Sequence, residues 1–134
     1  MGLVVDSSAV LAIALREPGE NWLSAQLRDH VDPLISAPNA LEVSMVLESR
    51  LSDSAGLGQR VLTQLGIHNA SFTPAMADRA MHAWRRFGKG RHPAALNFGD
   101  CCTYALAEDA GLPILCLGND FVQTDLPVLR PPSS

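Results

Sequence analysis

Short apolar runs alternate along the chain with longer segments in which apolar residues recur at helical spacing. The first run, Leu3-Val4-Val5, ends at Asp6-Ser7-Ser8, a triplet typical of the start of a helix. The pattern predicts strands at 3–5, 33–36, 67–72, 113–117 and 128–129, and helices at 9–15, 20–28, 38–51, 57–65, 74–87 and 99–110. Because strands and helices alternate, we predict an α/β fold: an α/β/α sandwich with parallel strands joined by right-handed crossovers.

The composition fits one globular domain. The chain has 134 residues, of which 47% are hydrophobic and only 5% aromatic, as is typical of buried aliphatic strands covered by helices. We expect the domain to span residues 1–129 and residues 130–134 to form a short flexible tail. No apolar run is long enough to span a bilayer, and no basic stretch precedes the first strand, so neither a membrane anchor nor a secretory signal is expected.

Three cysteines occur, at Cys101, Cys102 and Cys116, and two of them are adjacent. They follow neither a Cys-x-x-Cys pattern nor a Cys/His spacing suited to zinc. We interpret them as small buried side chains of a protein that works in a reducing cytoplasm.

Two carboxylates follow predicted strands. Asp6 comes directly after strand 3–5, and Asp120 comes shortly after strand 113–117. Functional groups of open parallel sheets collect beyond the carboxyl ends of the strands, so these two side chains are expected at the same edge.

Two further acids lie on predicted helices. Glu42 has Pro38 four residues before it and Met45 and Val46 after it, an apolar stripe on which a buried carboxylate would be costly. Asp100 lies in the first turn of its helix. The sheet topology can bring both to the edge that carries Asp6 and Asp120.

Each acid also has an ordinary structural interpretation. Asp6 could cap a helix, Asp100 could interact with a helix dipole, and Asp120 could form an Asx-turn. As a set, close carboxylates raise one another's pKa unless a cation neutralises them, and Mg²⁺ or Mn²⁺ prefers such oxygen ligands. Such ions can activate water for phosphodiester hydrolysis. Ser8 could orient a carboxylate in this site or simply cap the helix.

The formal net charge is −4, yet the basic residues are unevenly distributed. Half of the ten lie between positions 79 and 91, and no acid occurs from 79 through 99. Lys89, Arg91 and His92 lie close enough to Asp100 in sequence to flank the same cleft and bind phosphates. For Arg79 an exposed helix face is the better interpretation.

Several motifs resemble a known family. They are Val4-Val5-Asp6-Ser7-Ser8-Ala9, Arg16-Glu17-Pro18-Gly19, residues 37–43 around Glu42, residues 92–101 ending in Asp100-Cys101, residues 117–121 around Asp120, and Thr124-Asp125. In this order, and over nearly the whole chain, they resemble PIN-domain proteins of the VapC toxin type.

The resemblance implies a three-layer α/β/α fold with a five-stranded parallel sheet. It implies an Mg²⁺- or Mn²⁺-dependent endoribonuclease that is active as a homodimer and restrained by a VapB-type antitoxin. In this family pattern Asp6 and Asp100 would hold the principal metal, and Glu42 and Asp120 would complete the acidic pocket or serve a second ion. Asp125 matches an acid at the edge of the pocket.

Two other classes of protein remain open. The first is a PIN-like protein-binding module without catalysis, although such a module has no reason to keep four mutually repelling carboxylates. The second is a phosphatase for small phosphoesters, which is less favoured because Ser8 replaces the second acid of an Asp-x-Asp pair.

Overall fold

The computed structural model describes residues 1–132, and in that range it contains one five-stranded sheet. The strands are β1 (Val4–Val5), β2 (Leu34–Ser36), β3 (His68–Ala70), β4 (Ile114–Leu115) and β5 (Val128–Leu129). They run parallel in the order β3-β2-β1-β4-β5. The predicted α/β fold with a five-stranded parallel sheet is therefore confirmed.

Six α-helices and one 3₁₀ turn complete the described chain. The helices are α1 (Ser7–Ala14), α2 (Glu20–Asp29), α3 (Ala37–Arg50), α4 (Leu57–Gln64), α5 (Pro74–Phe87) and α6 (Phe98–Ala110), and the 3₁₀ turn is Phe121–Gln123. Successive residues of β1 point to opposite faces of the sheet: Val4 packs with the side chains of α5 and α6, whereas Leu3 and Val5 pack with those of α1 to α4. Two cores on either side of one sheet make the three layers.

Polar side chains fix the helix starts next to the sheet. Asp6 caps α1 and accepts a hydrogen bond from the backbone N–H of Ser8, so the helix starts at Ser7, two residues before the predicted start. Ser36 caps α3 and accepts from the N–H of Asn39. Both caps lie at the carboxyl ends of their strands, so α1 and α3 start at the same edge of the sheet.

Helix α6 is the central helix of the fold. Residues 101–107 are all buried, because α6 packs against α5, α3 and three strands of the sheet. The buried residues include the polar Thr103 and Tyr104 beside Cys101 and Cys102, which the sequence predicts to be buried. A helix that is buried on all sides is mostly apolar. Any polar group on its buried part needs a hydrogen-bond partner inside the protein.

The remaining fold predictions have mixed outcomes. The edge strand β3 is shorter than the predicted 67–72, because the chain leaves the sheet to reach the cap of α5 at Thr73. The three cysteines are free and buried, as predicted. Of the predicted tail, Arg130 donates to the side-chain oxygen of Asn119, and Ser133 and Ser134 lie outside the described residues. Within residues 1–132, no helix is long and apolar enough to cross a membrane.

Candidate active site

The four predicted acids line one pocket at the carboxyl edge of the sheet. The pocket has a volume of about 230 Å³, and Asp6, Glu42, Asp100 and Asp120 are among its lining residues. It opens beside β1 and β4, where the strand order changes direction, which is the position at which open parallel sheets place their ligands. Residues separated by up to 114 positions in sequence thus meet in one place, as the alternation of strands and helices predicted.

Asp6 is buried and held on both carboxylate oxygens. Its Oδ2 accepts the backbone N–H of Ser8 at 3.1 Å, and its Oδ1 accepts the Thr103 hydroxyl at 2.6 Å. Burial raises the pKa of Asp6 above the ordinary carboxyl value, and these hydrogen bonds oppose the rise because they favour the ionised form. Asp6 is therefore both the cap of α1 and a constrained group of the pocket.

Asp100 is likewise a helix-start residue and a pocket residue. Its Oδ2 accepts the N–H of Asn97 at 3.1 Å while the Asn97 side chain accepts the N–H of Asp100, a reciprocal capping box. Burial, together with the nearby carboxyls of Asp6 and Asp120, raises the pKa of Asp100 to about 8, while the hydrogen bond from the Asn97 N–H opposes the rise. A cation bound beside Asp100 would favour the ionised form of its carboxyl.

Glu42 lies at the rim, and the argument from desolvation was wrong for it. Its side chain and its neighbour Met45 are exposed on the outer face of α3, so the apolar stripe costs Glu42 nothing by burial. The carboxylate instead reaches the start of α6. A Cβ added at Gly99 would lie 3.0 Å from Oε1 of Glu42, so the missing side chain at this position lets the carboxylate lie against the first turn of α6.

Asp120 precedes the 3₁₀ turn Phe121–Gln123 and is exposed. Its side chain makes no capping hydrogen bond to that turn, so the Asx-turn interpretation is not supported. Its carboxyl lies close enough to that of Asp100 to contribute to the raised pKa of Asp100.

Asn39 and Ser8 tie the acid-bearing segments together. The buried side-chain amide of Asn39 donates to the carbonyl oxygen of Gly99 at 3.0 Å, and the backbone carbonyl oxygen of Asn39 accepts the Ser7 hydroxyl at 3.2 Å. Ser8 accepts the N–H of Leu117 at 3.0 Å through its hydroxyl, joining the end of β1 to the end of β4. Sequence reasoning missed Asn39 and Gly99 because their partners are distant in sequence. Its only signal for Asn39 was a polar residue on the buried side of α3.

Asp125 is not among the residues that line the pocket. Its carboxylate accepts the Tyr104 hydroxyl at 2.5 Å and the Arg86 guanidinium at 3.2 Å. These contacts lower the pKa of Asp125 below the ordinary carboxyl value. Its position indicates that Asp125 ties the C-terminal segment to α5 and α6 rather than binding a ligand.

The basic residues between positions 79 and 92 make different kinds of contact. Arg79 forms ion pairs with Glu108 and Asp109 at 3.1 and 3.4 Å, which agrees with an exposed helix face. Arg91 lies over the Trp84 ring at 4.2 Å, and His92 accepts the N–H of Ala94 through Nδ1. Neither of these nor Lys89 lines the acidic pocket.

The donors of the pocket fit a hard divalent cation. Its charged lining residues are all carboxylates, and neither His, Cys, Lys nor Arg is among them. Oxygen-only donors suit Mg²⁺ or Mn²⁺ and do not suit zinc. Within residues 1–132, no three His, Cys, Asp or Glu side chains already form a compact group for an ion. The fit therefore rests on the chemistry of the donors.

Comparison with known proteins agrees with this fold. A family model described as the PIN domain matches residues 3–126. Ribonuclease VapC36 of Mycobacterium tuberculosis is 43% identical over 126 residues, covering 92% of this chain and 91% of the relative. The chain therefore belongs to the PIN-domain family, and within it to the VapC ribonucleases. The predicted family is confirmed, and the prediction of a nuclease hydrolase is confirmed with it.

Solved structures support the same fold. The crystal structure of VapC20 from M. tuberculosis, a toxin that cleaves the sarcin-ricin loop, superposes with a TM-score of 0.75 at 18% identity, covering 96% of this chain and 99% of that one. The structure of VapBC2 from Rickettsia felis, bound to a DNA fragment from its promoter, gives 0.72 at 12% identity, covering 98% and 100%.

Replacing Asp125 with Asn should lower the melting temperature at neutral pH, and the difference from the native chain should become smaller at acid pH. Because the folded-state pKa of Asp125 is lowered, its stabilising effect is complete above the unfolded pKa of about 4 and is lost as pH falls through the folded value. Thermal denaturation of native and Asp125→Asn chains between about pH 7 and pH 2.5 measures this difference. The matched control Asp78→Asn changes an exposed acid of α5. A difference for Asp125→Asn that does not change with pH would contradict the assignment.

Proposed function

We propose that this chain is an Mg²⁺- or Mn²⁺-dependent endoribonuclease and the toxin of a VapBC-type toxin–antitoxin pair. The observation that carries the proposal is the convergence of Asp6, Glu42, Asp100 and Asp120 on one pocket with only carboxylates among its charged lining. Such a pocket attracts cations and repels the negatively charged phosphates of RNA. A bound cation would neutralise the carboxylates and so allow a phosphodiester to bind.

A divalent ion bound there would supply charge neutralisation and activation of a water molecule. Asp6 and Asp100 would hold the ion, since they are the two buried acids of the pocket and each accepts a backbone N–H. Glu42 and Asp120 are exposed at the mouth of the pocket. There they complete the ligand set or serve a second ion, and they orient the incoming water.

The loop before α6 supplies the phosphate contacts in this proposal. Lys89 and Arg91 are exposed, and the loop runs directly into Asn97 and Gly99 of the pocket. Stacking on Trp84 orders the Arg91 guanidinium, so less side-chain entropy is lost when it binds a phosphate. His92 supports the loop through its bond to Ala94 and its edge-on contact with Phe87.

An exposed apolar surface supports the proposed homodimer. Leu41, Met45 and Phe98 are 61, 63 and 78% exposed, and Met81 is 44% exposed. They border two apolar depressions that share Phe98, one against α3 and one against α5. Exposed apolar patches of this kind mark interfaces, and a second copy of this chain is the proposed occupant. The VapB-type antitoxin is the second proposed partner. The cytoplasm is the proposed site of action, because the proposed substrate is RNA.

The alternative, a PIN-like binding module without catalysis, predicts a different response to metal. A chain without an ion site shows no thermal stabilisation by Mn²⁺, whereas an ion that binds only the folded state raises the melting temperature. The buried Asp6 and Asp100, with pKa values raised by burial, favour the enzyme, because capping a helix does not require a buried carboxylate: neutral Ser, Thr or Asn side chains also cap helices.

Replacing Asp100 with Asn should reduce Mg²⁺-dependent RNA cleavage by about 100-fold or more, because it removes a proposed metal ligand while the helix cap keeps an oxygen acceptor. Mapping of new RNA 5′ ends after brief expression in cells, and cleavage by purified protein, measure the loss. Asp109→Asn is the matched control, since it makes the same exchange on an exposed residue of α6. Full cleavage by the Asp100→Asn chain would contradict the proposal.

Replacing Gly99 with Ala should reduce cleavage about 10-fold with little change in melting temperature. The added Cβ would meet the Glu42 carboxylate at 3.0 Å, and the end of that flexible side chain can move away. In a Glu42→Ala background, where the carboxylate is absent, Gly99→Ala should add little further loss. Equal losses in both backgrounds, in steady-state assays on a short RNA, would show that the effect does not pass through Glu42.

A further inference from the structure

Thr103 is a polar residue in the middle of the buried helix α6. It is fully buried and lies one turn after Asp100. A threonine inside a helix has a β-branch that is not favoured there, and its hydroxyl must find a partner when buried. The usual partner is the carbonyl four residues earlier, here that of Gly99. That oxygen accepts the Asn39 amide, and the Thr103 hydroxyl donates to Oδ1 of Asp6 at 2.6 Å.

This hydrogen bond joins two distant parts of the pocket. Asp6 follows β1 and Thr103 lies 97 residues later on α6. Since the N–H of Ser8 already holds Oδ2 of Asp6, the Thr103 hydroxyl fixes the second oxygen and with it the rotation of the carboxylate plane. Because α6 also carries Asp100, the bond sets the position of Asp6 relative to Asp100.

We propose that Thr103 is a positioning residue that holds the Asp6 carboxylate in the orientation needed to share a divalent ion with Asp100. The inference rests on the function proposed above. Without the hydroxyl, the Asp6 carboxylate keeps the hydrogen bond from the Ser8 N–H to Oδ2, but no hydrogen bond from α6 fixes its second oxygen. An ion must then order the carboxylate on binding, and its affinity falls.

The neighbouring Tyr104 provides a matched comparison. It is also buried on α6, and its hydroxyl donates to Asp125, which does not line the pocket. Removing either hydroxyl takes hydrogen bonding from a buried residue of the same helix: the bond to Asp6 at Thr103, and the bonds to Asp125 and Arg86 at Tyr104. Only the removal at Thr103 changes a group that belongs to the pocket.

The test measures binding of Mn²⁺ alone to the full chain by titration calorimetry, with Thr103→Val, Thr103→Ser and Tyr104→Phe beside the native protein. We expect Thr103→Val to bind Mn²⁺ about 10-fold more weakly, because residues that orient metal ligands typically have effects of this size. Thr103→Ser keeps the hydroxyl and should bind within about 3-fold of native, and Tyr104→Phe should bind as native does. In cleavage assays Thr103→Val should lower kcat with little change in KM for RNA.

Native affinity in Thr103→Val, or equal losses in Thr103→Val and Tyr104→Phe, would overturn the inference and leave the proposed function intact. Absence of Mn²⁺ binding by the native chain would overturn both. If Thr103→Val does not fold, Thr103→Ala removes the hydroxyl without placing a second methyl group beside the carboxylate. The same comparison with Thr103→Ser and Tyr104→Phe then decides.

Discussion

Repulsion and desolvation of carboxylates that share a small pocket are the constraint on which the rest of the structure depends. Asp6 and Asp100 are buried near each other, and burial raises the pKa of both. Two features of the structure stabilise the negative charge of these carboxylates. Each acid lies at the N-terminus of a helix, where backbone N–H groups and the helix dipole favour negative charge. Each also has an open pocket beside it, where a cation can complete the compensation.

The same side chains therefore serve folding and the proposed chemistry. Asp6 starts α1, and Asp100 starts α6 through its capping box with Asn97. A helix cap fixes the position of its side chain because the backbone N–H partners are rigid. The structural interpretations of these two acids were correct and did not compete with the functional one, since a carboxylate oxygen can accept more than one contact.

Much of the fold could be predicted from the sequence because its signals are local. Apolar runs ending in Asp6-Ser7 or followed by Gly118-Asn119-Asp120 mark strands and the turns after them, and their alternation with helices requires a parallel sheet. The four acids could be selected because parallel strands end at one edge. Boundaries moved by a residue or two: α1 starts at Ser7 because Asp6 caps it, and β3 ends at Ala70, two residues before the predicted end.

What could not be predicted depends on contacts between residues far apart in the chain. The exposure of Glu42 follows from how α3 lies against the rest of the fold, and its approach to Gly99 follows from the packing of α3 on α6. Nothing local in the sequence links Thr103 to Asp6. The hydrogen bond from its hydroxyl to the Asp6 carboxylate joins residues that are 97 positions apart. Asp125 matched the family pattern, but Tyr104 and Arg86 occupy its carboxylate.

The central claim is that Asp6 and Asp100 together bind a divalent ion. Anomalous X-ray diffraction from crystals of the native chain soaked in Mn²⁺ tests it most directly. The account predicts an anomalous peak in the acidic pocket, within about 2.5 Å of carboxylate oxygens of both Asp6 and Asp100. Ordered Mn²⁺ elsewhere on the protein, with no peak between these two side chains, would contradict it.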